Sequence, residues 1–431
     1  MKRAAMGAVS ALVLALAIVP AAVKAQADST WKDHERALQA ARQANDTVRY
    51  RAQLDAVYGI IGATPRVAAR YASLAIDAHD SAGAARWMGA LAAMGDELDT
   101  GLVSRYGALA GAGALRSLRA THAFATRDEG APKLVTRLPD ADMISEDLAY
   151  DPQGGRFLVS SVHHGGIYAI AHGRTTTLVK PGADSTWGMF ALGVDRTRGV
   201  LWATTAAFSA TAGYSPSDSG RSALVKYDLS TGALRGRYVA PDTGSHVLGD
   251  LVLGGSGAVY VSDGVGGGVY AIAPGQDSLR VLAARGTFRS PQTPALSSDG
   301  TTLFVSDYAI GIAAVDIESG RFTWVTHSDS LALTGIDGMY RVGADLIVVQ
   351  NGLEPNRIVR LALDRSMRRV VRATTIARGA SSRSLTHATV VGDWLYFLAK
   401  SGWERMADDG AMTAAASAVD RPAIMRVPLT R

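Results

Sequence analysis

Acidic, amide and imidazole side chains recur at one position of a pattern that is repeated along the chain. They stand at the start of the first strand of a repeat, at Glu146, Asp250, Gln292, Asp337 and His387. If those strand starts converge in space, the carboxylates repel one another, and a hard cation with oxygen ligands is the usual remedy. The spacing therefore predicts a metal site that is built from residues far apart in the chain.

The elements that carry these residues belong to a meander that recurs six times. The first copy, SEDLAYDPQGGRFLVSSVHHGGIYAI, reads as three strands joined by Gly-rich turns, and further copies follow at intervals of about 43 to 60 residues. Because a single meander cannot bury both of its faces, this period predicts a six-bladed β-propeller over residues 127–431, whose first strands line a channel. The strand KLVTRL, residues 133–138, has no partner nearby, so we expect it to be the outer strand of the last blade.

The preceding residues, 26–126, have a different pattern. They are rich in Ala, Leu and Arg at helical spacing, with Thr64 and Pro65 as the start of one helix and Ser81 after Asp80 as the start of the next. Two helical hairpins about 34 residues apart resemble degenerate tetratricopeptide repeats. A helical cap or dimerisation element is the plainer interpretation, and a groove for a protein partner is the alternative. The whole chain is thus expected to be mainly β, with a small helical domain in front of a propeller.

The first 25 residues have the character of an export signal. Two basic residues precede an apolar run, and Val23 and Ala25 fit the small positions before a cleavage site. Loss of Lys2, Arg3 and Lys24 would lower the formal charge from +5 to +2, which argues against a nucleic-acid partner. No later run of 18 apolar residues predicts a membrane span, and the chain has no cysteine for disulfides. We therefore expect a soluble periplasmic or secreted protein.

The same residues carry a resemblance to a known family. The run SEDLAYDPQGGRFLVSS resembles the first blade of the calcium-dependent six-bladed propellers of the regucalcin and gluconolactonase family, and SEDL is similar to the paraoxonases. The likeness extends roughly from residue 133 to the C-terminus. It implies that Glu146, Gln292 and Asp337 bind calcium, with Gln292 where the family has Asn. Gly249 replaces a further common Asn, while Asp250 is kept.

The resemblance also implies hydrolysis of a lactone or a related ester, a small-molecule substrate. The cation would polarise the carbonyl and lower the pKa of the attacking water, and Asp337 or Asp250 would accept the proton. His387 would shuttle protons or orient the substrate. The expected substrate contacts are Trp187, Gln350 and Asn351.

A second class of function stays open on the sequence alone. A propeller can equally be a non-catalytic module that binds a small molecule or a protein partner, with a decayed or structural metal site. The departures at Gln292 and Gly249 favour that interpretation, whereas the retained acids favour the hydrolase.

Overall fold

Five helices open the described part of the chain. The computed structural model describes residues 30–407 and 421–429. The helices are α1 (Thr30–Gln43), α2 (Thr47–Ile61), α3 (Pro65–Asp77), α4 (Ser81–Met94) and α5 (Thr100–Thr126). The predicted export signal, residues 1–25, lies outside the described residues. No helix in the described ranges is long and apolar enough to cross a membrane.

Side-chain caps set where the helices begin. Thr64 accepts a hydrogen bond from the backbone N–H of Val67 at 3.1 Å, and Pro65 occupies the first helical position of α3. Asp80 caps α4 through the N–H of Gly83 at 2.9 Å. Both helix starts agree with the sequence prediction. Helix α5 is interrupted at Gly111, where φ is +82°, a value that glycine adopts without strain.

The remaining elements form six four-stranded antiparallel sheets, so the predicted six-bladed, mainly β propeller is confirmed. Blade 1 is β2 (Ser145–Asp151), β3 (Arg156–Ser161), β4 (Gly166–Ala171) and β5 (Arg174–Val179). Blade 2 is β6 (Gly188–Asp195), β7 (Val200–Ala206), β8 (Ser222–Asp228) and β9 (Leu234–Tyr238). Blade 3 is β10 (Leu248–Leu253), β11 (Val259–Asp263), β12 (Val269–Ile272) and β13 (Arg280–Ala283).

The other three blades follow the same plan. Blade 4 is β14 (Pro291–Leu296), β15 (Thr302–Asp307), β16 (Gly311–Asp316) and β17 (Phe322–Trp324). Blade 5 is β18 (Ile336–Val342), β19 (Asp345–Gln350), β20 (Arg357–Leu363) and β21 (Val370–Arg378). Blade 6 is β22 (Ala388–Val391), β23 (Trp394–Ala399), β24 (Ala423–Pro428) and the N-terminal β1 (Lys133–Arg137).

Blade 6 closes the ring with a strand from the other end of the propeller. Strand β1 pairs antiparallel with β24, with Lys133 opposite Arg426 and Arg137 opposite Ala423. The segment KLVTRL therefore has the position that the sequence predicts. The innermost strands of blades 6 and 1 also contact each other, so the six first strands surround the channel without a gap.

A β-bulge near the start of the innermost strand shapes the channel in blades 1 to 5. In blade 1, Glu146 and Asp147 together lie opposite Ser160, because Ser145 pairs with Ser161 and Leu148 pairs with Val159. An extra residue re-aims the side chains next to it, so both acids can face the channel region. The equivalent pairs in the other bulged blades are Phe190–Ala191, Gly249–Asp250, Gln292–Thr293 and Asp337–Gly338.

Hydroxyl groups on the second strands satisfy the backbone at these bulges. The Ser160 hydroxyl accepts from the N–H of Asp147 and donates to the carbonyl of Phe190 in the next blade. The Thr204 hydroxyl accepts from Ala191 and donates to Gly249 in the same way. A buried backbone group without a hydrogen-bond partner destabilises the fold. These hydroxyls supply the partners that the bulges lack, and they also join neighbouring blades.

The helical domain packs against the propeller through an apolar core that both share. Its members include Trp31 and Trp87 from the helices and Phe288, Phe322 and Trp324 from blade 4 and the loop before it. Polar contacts add to this core: Asp329 accepts hydrogen bonds from Tyr58 at 2.9 Å and from Arg86 at 2.8 Å. The helices are therefore attached to one side of the ring.

Candidate metal centre

Three side chains from three consecutive blades meet at the mouth of the channel. Glu146 of blade 1, Asp337 of blade 5 and His387, just before the first strand of blade 6, each offer a ligand atom, and these atoms lie within 4.8 Å of one another. Two oxygens that bind one Ca²⁺ at 2.3–2.6 Å can be no more than about 5 Å apart. The separation therefore fits a shared ion.

Each of the two carboxylates has one oxygen that is held by a neutral donor. The indole N–H of Trp403 donates to Oε2 of Glu146. The amide of Asn351 donates from Nδ2 to Oδ2 of Asp337 at 2.6 Å, and its own carbonyl accepts from the Tyr308 hydroxyl at 3.0 Å. The second oxygen of each acid has no hydrogen bond within the described residues, so it is available to an ion or to water.

Both ring nitrogens of His387 already have hydrogen-bond partners. Its Nδ1 lies 3.0 Å from the carbonyl oxygen of Glu146, and its Nε2 lies 2.6 Å from Oδ1 of Asp250 and 2.9 Å from the Thr293 hydroxyl. The ring is only 2% exposed. In this arrangement His387 is a buried partner of Asp250, and it can bind an ion through Nε2 only by giving up that contact.

The environment of the two acids, Glu146 and Asp337, disfavours their ionised forms. Burial and the charge of the neighbouring Asp337 together raise the pKa of Glu146 to about 8, and His387 opposes the shift. Burial also raises the pKa of Asp337 to about 6, with His387 opposing and Asp250 adding to the shift. Two carboxyl groups that hold protons this strongly are good ligands for a cation that can replace those protons.

A cavity of about 850 Å³ opens above the two acids. Trp403, in a single turn of 3-10 helix (Trp403–Arg405), forms part of its wall and packs edge-to-face on Phe208 at 5.8 Å between ring centroids. Phe190 belongs to the same apolar cluster. The lining also includes five charged residues, Arg383, Lys400, Arg405, Glu354 and Glu404. The cavity thus combines polar and apolar walls, as small-molecule sites commonly do.

Most of the predicted polar site residues lie in or directly beneath this cavity. Glu146, Asp337 and Asn351 line it, and His387 and Asp250 lie buried below them. Gln292 is at the predicted ring position, but its amide donates to the Ser290 hydroxyl at 3.0 Å and has no contact with the acids. Gly249 supplies no side chain. The amide positions that the resemblance implies as ligands therefore contribute less than the acids do.

Two predicted substrate contacts lie elsewhere. Trp187 lies before the bulge of blade 2, three residues ahead of Phe190, and its ring faces the guanidinium of Arg237 on the outer strand at 5.0 Å. Gln350 is 2% exposed, and its Nε2 donates to the carbonyls of Ala332 and Thr334, both at 2.9 Å. Neither side chain lines the cavity, because Trp187 packs on the outer strand of its own blade and Gln350 is held by backbone carbonyls.

Trp403 and Tyr308 are the site residues that sequence reasoning missed. Both follow the second strand of a blade, as Asn351 does in blade 5. Reading that position in every repeat, and not only in blade 5, would have pointed to Tyr308 directly after β15 and to the loop after β23 that carries Trp403.

Asp147 has a structural place in the channel. Its Oδ2 accepts from the N–H of Leu192 at 2.6 Å, and its Oδ1 accepts from the N–H of Leu148 at 2.7 Å. It therefore links blade 1 to blade 2, with both oxygens committed to the backbone.

Solved propellers are similar to this chain in architecture. One is the PQQ-bound aldose sugar dehydrogenase from Streptomyces coelicolor, with 16% identity, 70% of this chain and 100% of that chain covered, and a TM-score of 0.48. Regucalcin from Agrobacterium tumefaciens, a calcium-binding protein, has 19% identity over 70% and 95% of the two chains and a TM-score of 0.48. The gluconolactonase XC5397 from Xanthomonas campestris has 15% identity over 70% and 97% and a TM-score of 0.45. No family model and no curated protein matches the sequence.

The neighbours include the two kinds of protein that the sequence motifs resemble. With identities below 20% and TM-scores below 0.5, these likenesses carry no conclusion about chemistry. Any functional assignment must rest on the donors themselves. The two carboxylates, each with one oxygen that has no hydrogen bond among the described residues, fit a hard cation.

Proposed function

We propose that the protein is an exported, calcium-dependent hydrolase of lactones or related esters, with its site at the channel mouth. The observation that carries the proposal is the approach of the Glu146 and Asp337 carboxylates at the floor of a cavity large enough for a small molecule. Glu146 and Asp337 would hold the ion. When bound, the ion would polarise the ester carbonyl and acidify a water molecule.

The chain's own residues have separate roles in this scheme. Asp337 lines the cavity and has one oxygen fixed by Asn351, so its other oxygen can contact both the ion and the water bound to it, which makes Asp337 the candidate base for the attacking water. Water adds to the carbonyl carbon, the ring C–O bond breaks, and the proton passes to the leaving alkoxide to give a hydroxy acid. Trp403 provides an apolar wall for the substrate.

His387 and Asp250 support the site from below. Because both ring nitrogens of His387 are engaged, we assign it an electrostatic and positioning role and not that of a proton shuttle. Asp250 is 3% exposed and bound to His387 and Thr293, so it does not face the cavity as a base. Among the two bases considered from the sequence, the geometry favours Asp337.

The first test measures calcium binding by thermal unfolding. The purified chain, treated with chelator, is expected to melt at a higher temperature when calcium is restored, because a ligand that binds only the folded state stabilises it. Glu146→Gln and Asp337→Asn should remove that shift. Glu318→Gln, a change at an exposed acid, should keep it. A parent protein without any calcium response overturns the metal-dependent mechanism.

The second test is turnover on a panel of lactones and aryl esters. Activity that needs calcium and is lost in Asp337→Asn supports the hydrolase. A calcium shift without turnover on the panel favours the second candidate, a propeller that binds a small molecule around a structural cation. That candidate is supported by the turn of Gln292 toward Ser290 and by Gly249, which together leave the site with few protein ligands.

A further inference from the structure

A second cavity of about 860 Å³ lies between helix α5 and blade 5. It is separate from the candidate metal centre, and none of the acids of that centre lines it. Five guanidinium groups but only two carboxylates reach it, a surplus of three positive charges. The charged residues are Arg127, Arg357, Arg369, Arg372 and Arg378, with Glu129 and Asp364.

The guanidinium of Arg357 is buried beside this cavity without a salt bridge to any described residue. It is 6% exposed, and no carboxylate among the described residues forms a salt bridge with it. Its Nε donates to Gln350 at 3.0 Å and its Nη1 to the carbonyl of Gly95 at 3.3 Å, whereas Nη2 has no acceptor within the described part of the chain. A buried charge without a counter-ion is costly, so a cavity beside it is a natural place for an anion.

A second buried arginine stands beside the first. Arg378 is 5% exposed, its Nε donates to the carbonyl of Arg127 at 2.6 Å, and its Nη2 lies 3.3 Å from Glu129. Burial, together with the positive charge of Arg378, lowers the pKa of Arg357 to about 10, and Asp96 opposes this shift. The carboxylate that forms a salt bridge with the pair, Glu129, is shared with Arg127. Asp96 and Asp128 act on Arg357 and Arg378 through their charge, without a salt bridge to either.

Apolar side chains form part of the remaining wall, beside the hydroxyl-bearing residues Thr121, Ser328 and Ser330. Phe124 is 67% exposed and Val371 is 59% exposed, and Met94 and Leu331 line the same cavity. Large apolar side chains that remain exposed beside a cationic cavity suit a ligand with a charged head and an apolar body. Guanidinium groups match the oxygens of a phosphate in paired hydrogen bonds, and a doubly charged head best balances the charge surplus.

We propose that this cavity binds a small organic phosphate, with its phosphoryl group on Arg357 and Arg378 and its apolar body against Phe124. The site involves both domains, since Gly95 and Phe124 belong to the helical part and the buried arginines belong to blade 5. It does not depend on the hydrolase proposal, because it shares no ligand with the metal centre.

The test is calorimetric titration of the full chain with inorganic phosphate and with phenyl phosphate, at constant ionic strength set with sodium chloride. Phenyl phosphate should bind more tightly than phosphate, because its ring can cover the apolar wall. Arg357→Gln should weaken both by about 10-fold or more, the usual range for loss of a hydrogen bond to a charged group. Arg174→Gln, at an exposed arginine of blade 1, is the matched control and should bind as the parent does.

A second variant guards against misfolding of Arg357→Gln. Arg372→Gln removes an exposed charge of the same cavity and should weaken phosphate binding by a smaller factor while the thermal midpoint stays unchanged. Equal binding by the parent, Arg372→Gln and Arg174→Gln overturns the proposal. Sedimentation of the chain with phosphatidylglycerol vesicles also overturns the proposal if phenyl phosphate does not reduce the amount that sediments. That result would mean that the cationic surface binds a lipid membrane.

Discussion

His387 and Asp250 form a buried pair beneath the two acids of the candidate metal centre, with Nε2 of the histidine 2.6 Å from Oδ1 of the aspartate. The other ring nitrogen faces the carbonyl oxygen of Glu146, so both nitrogens have acceptors and both must carry protons. Burial disfavours the charged ring, but the charge of Asp250 and its hydrogen bond raise the pKa of His387 well above its ordinary value. The pair therefore places one fixed positive charge under a group of carboxylates.

Removal of one partner should be costly. Asp250→Asn leaves the imidazolium without its counter-ion, and broken buried pairs typically cost about 3–5 kcal/mol of unfolding free energy. Urea unfolding in the presence of chelator measures the loss. The double variant Asp250→Asn/His387→Gln should lose clearly less than the sum of the two single variants. Strictly additive losses would show that the two side chains do not interact as the geometry indicates.

The raised pKa values of Glu146 and Asp337 predict a pH dependence for the calcium-free protein. Both groups hold a proton more strongly when folded than their ordinary pKa values, 4.5 and 3.8, allow. The unfolding free energy should therefore fall as pH rises from about 4 and level off above about 8, because over that range the folded state still holds protons that the unfolded state has lost. Denaturant titrations from pH 5 to 9 in chelator measure this slope.

The matched variants test the cause of the slope. Glu146→Gln should flatten it, because the amide cannot ionise, whereas Glu318→Gln should leave it unchanged. Saturating calcium should also flatten it in the parent, since the ion replaces the protons. A parent whose stability rises over this range would contradict the assignment of burial and mutual repulsion as the source of the shift.

The fold was readable from the sequence because its repeats have a local period. Each blade has short strands rich in apolar residues between Gly-rich turns, so six copies can be counted without knowing any contact. Even the closure could be predicted, since the strand at Lys133 had no neighbour to pair with and β24 needed an outer partner. The outermost strands carry weaker patterns because only one edge of each is paired.

The site was less readable because it depends on bulges. A bulge adds a residue that the sequence does not mark, so the sequence does not show that the bulge of blade 2 lies at Phe190, three residues beyond the predicted contact Trp187. In blade 4 the bulge holds Thr293 beside the predicted Gln292, and Thr293 contacts both Asp250 and the backbone of Asp337. The sequence does not identify Trp403 as a site residue, because its loop departs from the repeat. Only the closed ring brings Trp403 to Glu146.

Asn351 should control how well Asp337 binds an ion. Its amide fixes one carboxylate oxygen of Asp337, and the other oxygen has no hydrogen bond among the described residues. Residues that orient a metal ligand typically contribute about 10- to 100-fold in affinity, so Asn351→Ala should weaken calcium binding by that order. Tyr308→Phe, which removes only the hydroxyl that bonds the Asn351 carbonyl, should have a smaller effect.

Calcium affinity for these variants can be measured by calorimetry after treatment with chelator. Gln276→Ala, an exposed amide in blade 3, serves as the control and should bind as the parent does. If Asn351→Ala binds calcium with unchanged affinity, Asp337 is either not a ligand or is held in place by something other than this amide.

Leu138 tests the closure of the ring. It follows β1, is 1% exposed, packs with Leu148, Leu398 and Ile424, and donates its N–H to the carbonyl of Pro422 at 2.8 Å. Leu138→Ala should lower the unfolding free energy by about 2–5 kcal/mol, the usual cost of a cavity at a buried leucine.

Leu134 is the matched control for that substitution, because it lies on the same closing segment but is 50% exposed. Leu134→Ala should change the unfolding free energy by no more than about 0.5 kcal/mol, as is usual for surface positions. Urea unfolding of both variants measures the difference. Equal losses of unfolding free energy would mean that Leu138 is not packed between blades 1 and 6 in solution. Only the closed ring buries Leu138 and leaves Leu134 exposed, so only the closed ring makes the two losses differ.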